Sequence, residues 1–183
     1  MLGAEKTLFA FQSAKDEFVF TNEALILVKG ESAASTRRTA ERLEYRDHFL
    51  TNVQFETTGR LDRDCEIKFL IGDREVSIDI ARKEEKTVKV YYKALVALER
   101  EQQNRQHAWK GATDRLADAS NTLSLNRLPP SNQANLLVTT TTASPETVTQ
   151  QANRVLEWMK VDYERLNARC YQVILSRALD SSS

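Results

Sequence analysis

This 183-residue chain has no surplus of either charge, few cysteines and no long apolar run, and each absence removes a class of function. Lys plus Arg and Asp plus Glu both number 26, so no global field draws the chain to nucleic acid or to an anionic membrane. Any such binding has to be local. The two cysteines, Cys65 and Cys170, lie far apart within strand and helix patterns, which argues for two reduced, partly buried thiols and against a disulfide scaffold. No stretch reaches the roughly 18 successive apolar residues of a membrane span, and the opening MLGAEKTLFAFQSAKDE lacks the basic and apolar regions of a signal peptide. The expectation is a soluble, intracellular protein of the cytoplasm. His48 and His107 are the only histidines, and neither has a Cys, His or carboxylate at a metal-ligand spacing. No nucleophile, base and orienting group occur together, so no catalytic residue, cofactor or metal is expected.

What the chain does have is a change of period. From Leu8 to Ile80 the pattern repeats every two residues, as in strands with one buried face. A first strand falls near Thr7 to Gln12. Phe18 and Phe20 share a face in the second, and Asn22-Glu23 turns into the apolar run Ala24 to Val28. Leu43 and Tyr45 close a fourth strand, Val53 and Phe55 form a fifth, and Ile67, Phe69 and Ile71 a sixth. After Gly72-Asp73, Val76, Ile78 and Ile80 make a seventh. Seven consecutive strands with short connections suit an antiparallel barrel or sandwich better than a parallel sheet.

At Lys83 the period becomes helical. Val88, Tyr91, Tyr92, Leu95 and Leu98 form a stripe, with Glu84 and Glu85 in the opening turn where the helix dipole favours acids. A helix of about three turns here would plug the open end of a barrel. Beyond Glu99 the stripe fades, apart from Trp109 and Leu116, and residues 100–118 read as a helical extension leaving the barrel. Residues 119–144, with Pro129-Pro130 and four successive threonines, have the composition of a flexible linker. Ser144-Pro145-Glu146 then supplies an N-cap, a first-position proline and a first-turn acid. A single helix from Pro145 to about Leu179 follows, striped by Val148, Ala152, Val155, Met159, Tyr163, Leu166, Cys170 and Val173. A helix of that length with such a near-heptad seam needs a partner surface.

The segments DEFVFTNEALILV and NVQFETTGRLDRDCEIKF resemble the bacterial-type pleckstrin-homology-like family, a domain of unknown function. The matching positions are Lys15-Asp16, Phe20-Thr21-Asn22, Leu25 to Val28, Glu56-Thr57-Thr58-Gly59, Asp62, Asp64 and Glu66 to Lys68. The resemblance covers roughly residues 4–99 and implies a seven-stranded bent barrel capped by a helix. The loop GESAASTRR departs from the family's glycine-containing turn, and nothing in the family pattern accounts for Gln103 onward.

The fold class expected is therefore α+β, with a barrel and capping helix over 1–99, an extension over 100–118, a linker over 119–144 and a long amphipathic helix over 145–179. Lipid headgroup binding needs several cations converging on the phosphates. From Met1 to Val90 there are 15 basic and 17 acidic residues, a net of −2. Lys29, Arg37, Arg38 and Arg42 are the best local basic group, and a solvated hairpin explains them as well. Asp62, Asp64 and Glu66 alternate with Arg60 and Arg63, which suits turn and ion-pair roles better than calcium ligation. Trp109 and Trp158 are read as packing or interface residues.

The function expected is a non-enzymatic interaction module, a subunit or adaptor of a larger assembly. It would bind a protein partner, or a second copy, through Val155, Met159, Tyr163, Leu166 and Val173. The alternatives are a peripheral membrane adaptor that binds phosphoinositide through the barrel and, ranked last, a small-ligand carrier or enzyme. A helix folded back on its own barrel competes with all three.

Overall fold

The computed structural model describes residues 5–12, 16–30, 37–57, 64–81, 84–125 and 148–180. Lys15, Arg60, Asp62, Arg63, the Gly59 turn and the Ser144-Pro145 helix start lie outside them, as does the linker beyond Leu125. Seven strands appear in the expected places: β1 Thr7–Gln12, β2 Asp16–Thr21, β3 Ala24–Gly30, β4 Arg38–Glu44, β5 Leu50–Thr57, β6 Asp64–Ile71 and β7 Arg74–Ala81. Three helices follow: α1 Glu85–Leu125, α2 Val148–Leu166 and α3 Gln172–Asp180. The chain divides into two compact units. One comprises residues 1–104 and 168–183, the other residues 105–167.

In the first unit the strands form two antiparallel sheets, β1-β2-β3-β4 and β5-β6-β7, and not the closed barrel expected. The chain turns through Tyr45 to Phe49 between β4 and β5, so those strands do not pair. At the other opening, Tyr91 of α1 stacks on Phe9 of β1 at 4.4 Å and meets Phe11 edge-on at 5.5 Å. The period-two pattern dictates a buried face on each strand but says nothing about which edges meet; the wedge of aromatic rings from α1 takes the place of edge-to-edge hydrogen bonds. Phe20 of β2 lies 6.0 Å from Phe69 of β6, which shows the two sheets facing each other over one core. Val88, Ala94, Leu95 and Leu98 of α1 complete that core from the side.

Gly72 opens the β6–β7 turn with φ +58°, a conformation that costs a residue with a side chain about 1 kcal/mol or more. A Cβ there would also meet His48 Cδ2 at 3.0 Å. Gly72→Ala is expected to lower unfolding stability by about 1–2 kcal/mol. An unchanged urea midpoint would show that the turn relaxes freely.

The long last helix of the sequence reading is broken. α2 ends at Leu166, where the Asn167 backbone amide and its Nδ2 both donate to the Tyr163 carbonyl, at 2.8 and 3.0 Å. Asparagine at such a position satisfies an end carbonyl and releases the chain from the helix. The residues after it rejoin the first unit as α3. There Tyr171 and Leu175 are buried to 2 % and 1 % exposure, with Ala178 and Leu179 packed against the core. Tyr171 meets Tyr45 edge-on at 6.1 Å. The seam Val148 to Val173 is therefore not continuous: it stops at Leu166.

Candidate functional site

The Phe20-Thr21-Asn22 element, which carried much of the family resemblance, is a structural fastening. Thr21 Oγ1 accepts the amides of Glu23 and Ala24 at 3.1 and 2.8 Å and donates to Glu5 Oε1 at 2.7 Å, fixing the β2–β3 turn. Buried Asn22 exchanges bonds with Lys6, accepting its amide on Oδ1 at 2.7 Å. It also holds the start of α3: its carbonyl accepts the Tyr171 amide at 2.8 Å, and its Nδ2 donates to Cys170 Sγ at 3.1 Å. Of the two free thiols, Cys65 is buried and Cys170 exposed.

The four candidate basic residues lie on or beside the β3–β4 hairpin, but register separates them. Lys29 is opposite Thr39, whereas Arg38 is opposite Gly30 and Arg42 opposite Ile26. Side chains alternate along a strand, so Lys29 faces the other side of the sheet from Arg38 and Arg42. Arg42 is engaged by carboxylates. It pairs closely with the buried Glu5, reaches Glu44 at 3.3 Å and Glu23 at 3.8 Å. Although desolvation opposes its charge, the hydrogen bonds it donates to Glu5 and Glu44 hold its pKa above the ordinary arginine value. Arg38 lies 3.9 Å from Glu17, and Arg37 is exposed just before β4. Cations already facing acids are poor phosphate receptors.

Of the alternating acids, Glu66 also stands in an ion-pair network. Glu66 accepts from Ser77 Oγ and lies 2.9 Å from Lys68, which also reaches Glu56 at 3.0 Å. The Ser77 bond, then the Lys68 bond, holds the Glu66 carboxyl below its usual range. The same carboxylates hold the Lys68 ammonium above its own. Among the described residues no group of three His, Cys, Asp or Glu could hold a metal ion. His48 Nδ1 is 3.2 Å from the Glu44 carbonyl in the β4–β5 turn.

The candidate site is in the second unit. It consists of α2 and the part of α1 from Arg105 onward, with Trp109 and Tyr163 meeting edge-on at 5.4 Å. Among its described side chains none is buried, and the apolar ones remain half-wet. Leu156 is 63 % exposed and Val161 62 %, and Val155, Trp158 and Tyr163 are exposed as well. A groove of about 800 Å³ runs between the helices, with Ala108, Gly111 and Ala112 as one wall and Val155, Trp158 and Leu166 on the other. Arg115, Arg154, Asp162 and Arg165 rim it.

Of the five residues expected to bind a partner, Val155 and Leu166 line this groove, while Met159 is half-buried and Tyr163 packs on Trp109. Val173 belongs to the other unit, on α3, where it is 70 % exposed and turned away from the core. Sequence reasoning missed Leu156 and Val161, which sit off the heptad seam, and the small-residue wall of α1. The spacing Ala108, Gly111, Ala112 on a helix otherwise rich in large polar residues was the available signal.

Residues 1–98 match the bacterial PH domain family, and the chain belongs to it. It is 40 % identical over 94 residues to the uncharacterized protein YvbH of Bacillus subtilis (strain 168), covering 51 % of this chain and 46 % of YvbH. Similarity to the uncharacterized protein YjqA of the same strain is 32 % over 76 residues, or 42 % of this chain and 59 % of YjqA. The chain thus spans about half the length of these curated relatives. A crystal structure of a PH domain containing bacterial protein from Exiguobacterium sibiricum 255-15 has a TM-score of 0.77 and 28 % identity. That likeness covers 96 % of this chain and 86 % of the other, so it extends past the family-matched residues into the helical unit.

Proposed function

We propose that this protein is a non-enzymatic interaction module in which a PH-like unit is joined to a helical unit that binds a protein helix along the α1–α2 groove. The observation that carries this is the helical unit's lack of any buried side chain among those described, while Leu156, Trp158 and Val161 stand in water. Two helices alone cannot enclose a core; a third or fourth supplies the missing face. Exposed apolar surface of this kind marks binding sites.

The test is chemical cross-linking and pull-down with the full chain, comparing wild type with Leu156→Asp and Trp158→Glu. These positions are exposed, so the substitutions leave α1 and α2 intact, whereas Leu166→Asp would disturb α2 itself. Loss of a specific, saturable partner in both variants supports the reading. An identical set of captured proteins in all three would sink it.

Phosphoinositide binding by the PH-like unit competes with this reading, and the paired Arg38 and Arg42 and the opposed Lys29 speak against it. Co-sedimentation with phosphoinositide-bearing vesicles at physiological salt is expected to show no saturable binding. A low-micromolar affinity, worth about 8 kcal/mol, that disappears in Arg38→Glu would reinstate the membrane reading.

A further inference from the structure

The strand edges of the PH-like unit differ in how they are protected, and one of them lies open. An edge strand presents unpaired amides and carbonyls, which folded proteins guard with charges, bulges or covering side chains. β5 is guarded: its register shifts between Thr51 and Gln54, Asn52 takes a φ of +57°, and the amides of Leu50 and Asn52 donate to Gln102 and Glu99 of α1 at 2.8 and 2.7 Å. β4 carries Arg38, Glu41, Arg42 and Glu44, with Glu41 paired to Arg74 and Arg42 to Glu5. β7 has no such protection. It runs through eight residues without proline, glycine, lysine or a shift of register, and β6 is its only strand neighbour among the described residues.

The turn before β7 sets the direction of its backbone groups. Gly72-Asp73 is a two-residue loop closed by the rung between Ile71 and Arg74. Such a closing rung is hydrogen-bonded, and bonded and open rungs alternate from it. Arg74, Val76, Ile78 and Ile80 therefore bond to β6, while Glu75, Ser77, Asp79 and Ala81 turn their N–H and C=O outward. The same four residues are exposed. Asp79 and Ala81 line a cavity of about 400 Å³ together with Ala10 and Gln12 of β1 and Glu84 and Thr87 of α1. That space holds no more than a turn of helix, which is about 10–12 Å across, but it admits a few residues of extended chain. Glu75, Asp79 and Glu84 have no ion-pair partner among the described residues.

We infer that the outer edge of β7 receives an extended segment of another protein as an added antiparallel strand, and that this segment carries a basic, a small and a second basic residue at alternate positions.

Each outward residue of β7 then exchanges both backbone bonds with the residue opposite, as at any bonded antiparallel rung. Glu75, Ser77 and Asp79 share a face, so the residues opposite them share one too. Lysine or arginine opposite Glu75 and Asp79 forms cross-strand pairs of opposite charge, and the residue opposite Ser77, between two long side chains, is small. The intervening residues point to the same side as Ile78 and Ile80, which are buried, and are apolar.

This inference lies outside the groove of the helical unit and fails separately from it. The probe is a short peptide with the core Lys-Val-Ser-Val-Lys. One control peptide has glutamate in place of both lysines; another is N-methylated at the lysine and serine amides, whose bonds face β7. The lysine peptide is expected to bind the full chain saturably and to slow hydrogen exchange over β7 by about tenfold or more. Both controls should bind about tenfold more weakly. Glu75→Lys combined with Asp79→Lys, at two exposed positions, should reverse the preference between the lysine and glutamate peptides. Ser77→Pro removes one outward amide and no bond to β6, so it should abolish binding. Where Ser77→Pro does not fold, the N-methylated peptide tests the same bond from the other side. Leu156→Asp should leave peptide binding unchanged.

A lysine peptide that does not bind, or that binds no better than the glutamate or the N-methylated one, overturns the inference. So does a β7 whose exchange is already slow in dilute chain without peptide, or slows as the chain alone is concentrated, because the occupant is then the chain itself or another copy. None of these results bears on the groove.

Discussion

Tyr171→Ala is expected to lower the unfolding free energy of the PH-like unit by about 3–5 kcal/mol, the usual cost of deleting a buried aromatic ring. The residue is 2 % exposed, meets Tyr45 edge-on, and sits where α3 is tied to the Asn22 carbonyl. Removing the ring leaves a cavity against Tyr45, whose hydroxyl is itself buried without a hydrogen-bond partner among the described residues. Burial already pushes the Tyr45 pKa upward, so the phenol stays neutral and cannot offset the loss by ionising. Because domains are stable by only about 5–15 kcal/mol, the variant should melt many degrees lower. Chemical denaturation of full-length wild type and variant measures this. A change below about 1 kcal/mol would mean that α3 contributes little to the core. The same geometry carries a practical consequence: truncating the chain before α2 removes α3 as well, so a fall in stability on truncation would not show that α2 packs on the PH-like unit.

Gln102→Leu should cost about 2–4 kcal/mol, although leucine fits the volume and favours helix. Gln102 is buried at 1 % exposure. Its Oε1 accepts the Leu50 amide at 2.8 Å, and its Nε2 donates to the Tyr45 carbonyl at 2.8 Å and to the His48 carbonyl at 3.4 Å. One amide therefore satisfies the backbone of the turn where the two sheets fail to pair. Leucine would leave a buried donor and a buried acceptor unmet, each worth about 1–3 kcal/mol. Equilibrium denaturation separates the outcomes. Equal or greater stability in the variant would show that water replaces these bonds.

Strands β1 to β7 and the first turns of α1 were legible because each element buries one face, and the period of Ile67-Phe69-Ile71 or Val88-Leu95-Leu98 states which. Sheet closure was not legible, since strand pairing depends on where Tyr91 wedges and on Gln102 bridging the β4–β5 turn, both contacts between residues distant in sequence. The break before α3 was hidden by two overlapping stripes. The spacing Tyr163, Leu166, Cys170, Val173 continues the seam of α2, while Tyr171, Ile174, Leu175 and Ala178 begin another. Only the second is used, because Asn22 offers a carbonyl to Tyr171. The basic candidates misled for a related reason: Lys29 and Arg38 lie one rung apart on the hairpin, and that single step sends them to opposite faces. The groove of the helical unit was legible in part, through Val155 and Leu166, while its small-residue wall lies more than 40 residues earlier in the chain.

Hydrogen exchange of the full chain, alone and with a captured partner, tests the central claim most directly, because it reads every helix at once. The amides of α3 should exchange as slowly as those of β3 and β6 in both cases, as befits a segment built into the PH-like core. Those of α2 and of α1 beyond Arg105 should exchange faster than the strand amides in the chain alone, because their face is open, and become protected when a partner closes it. Protection of α2 equal to that of the strands in the chain alone, with no response to a partner, would contradict a helical unit that needs one.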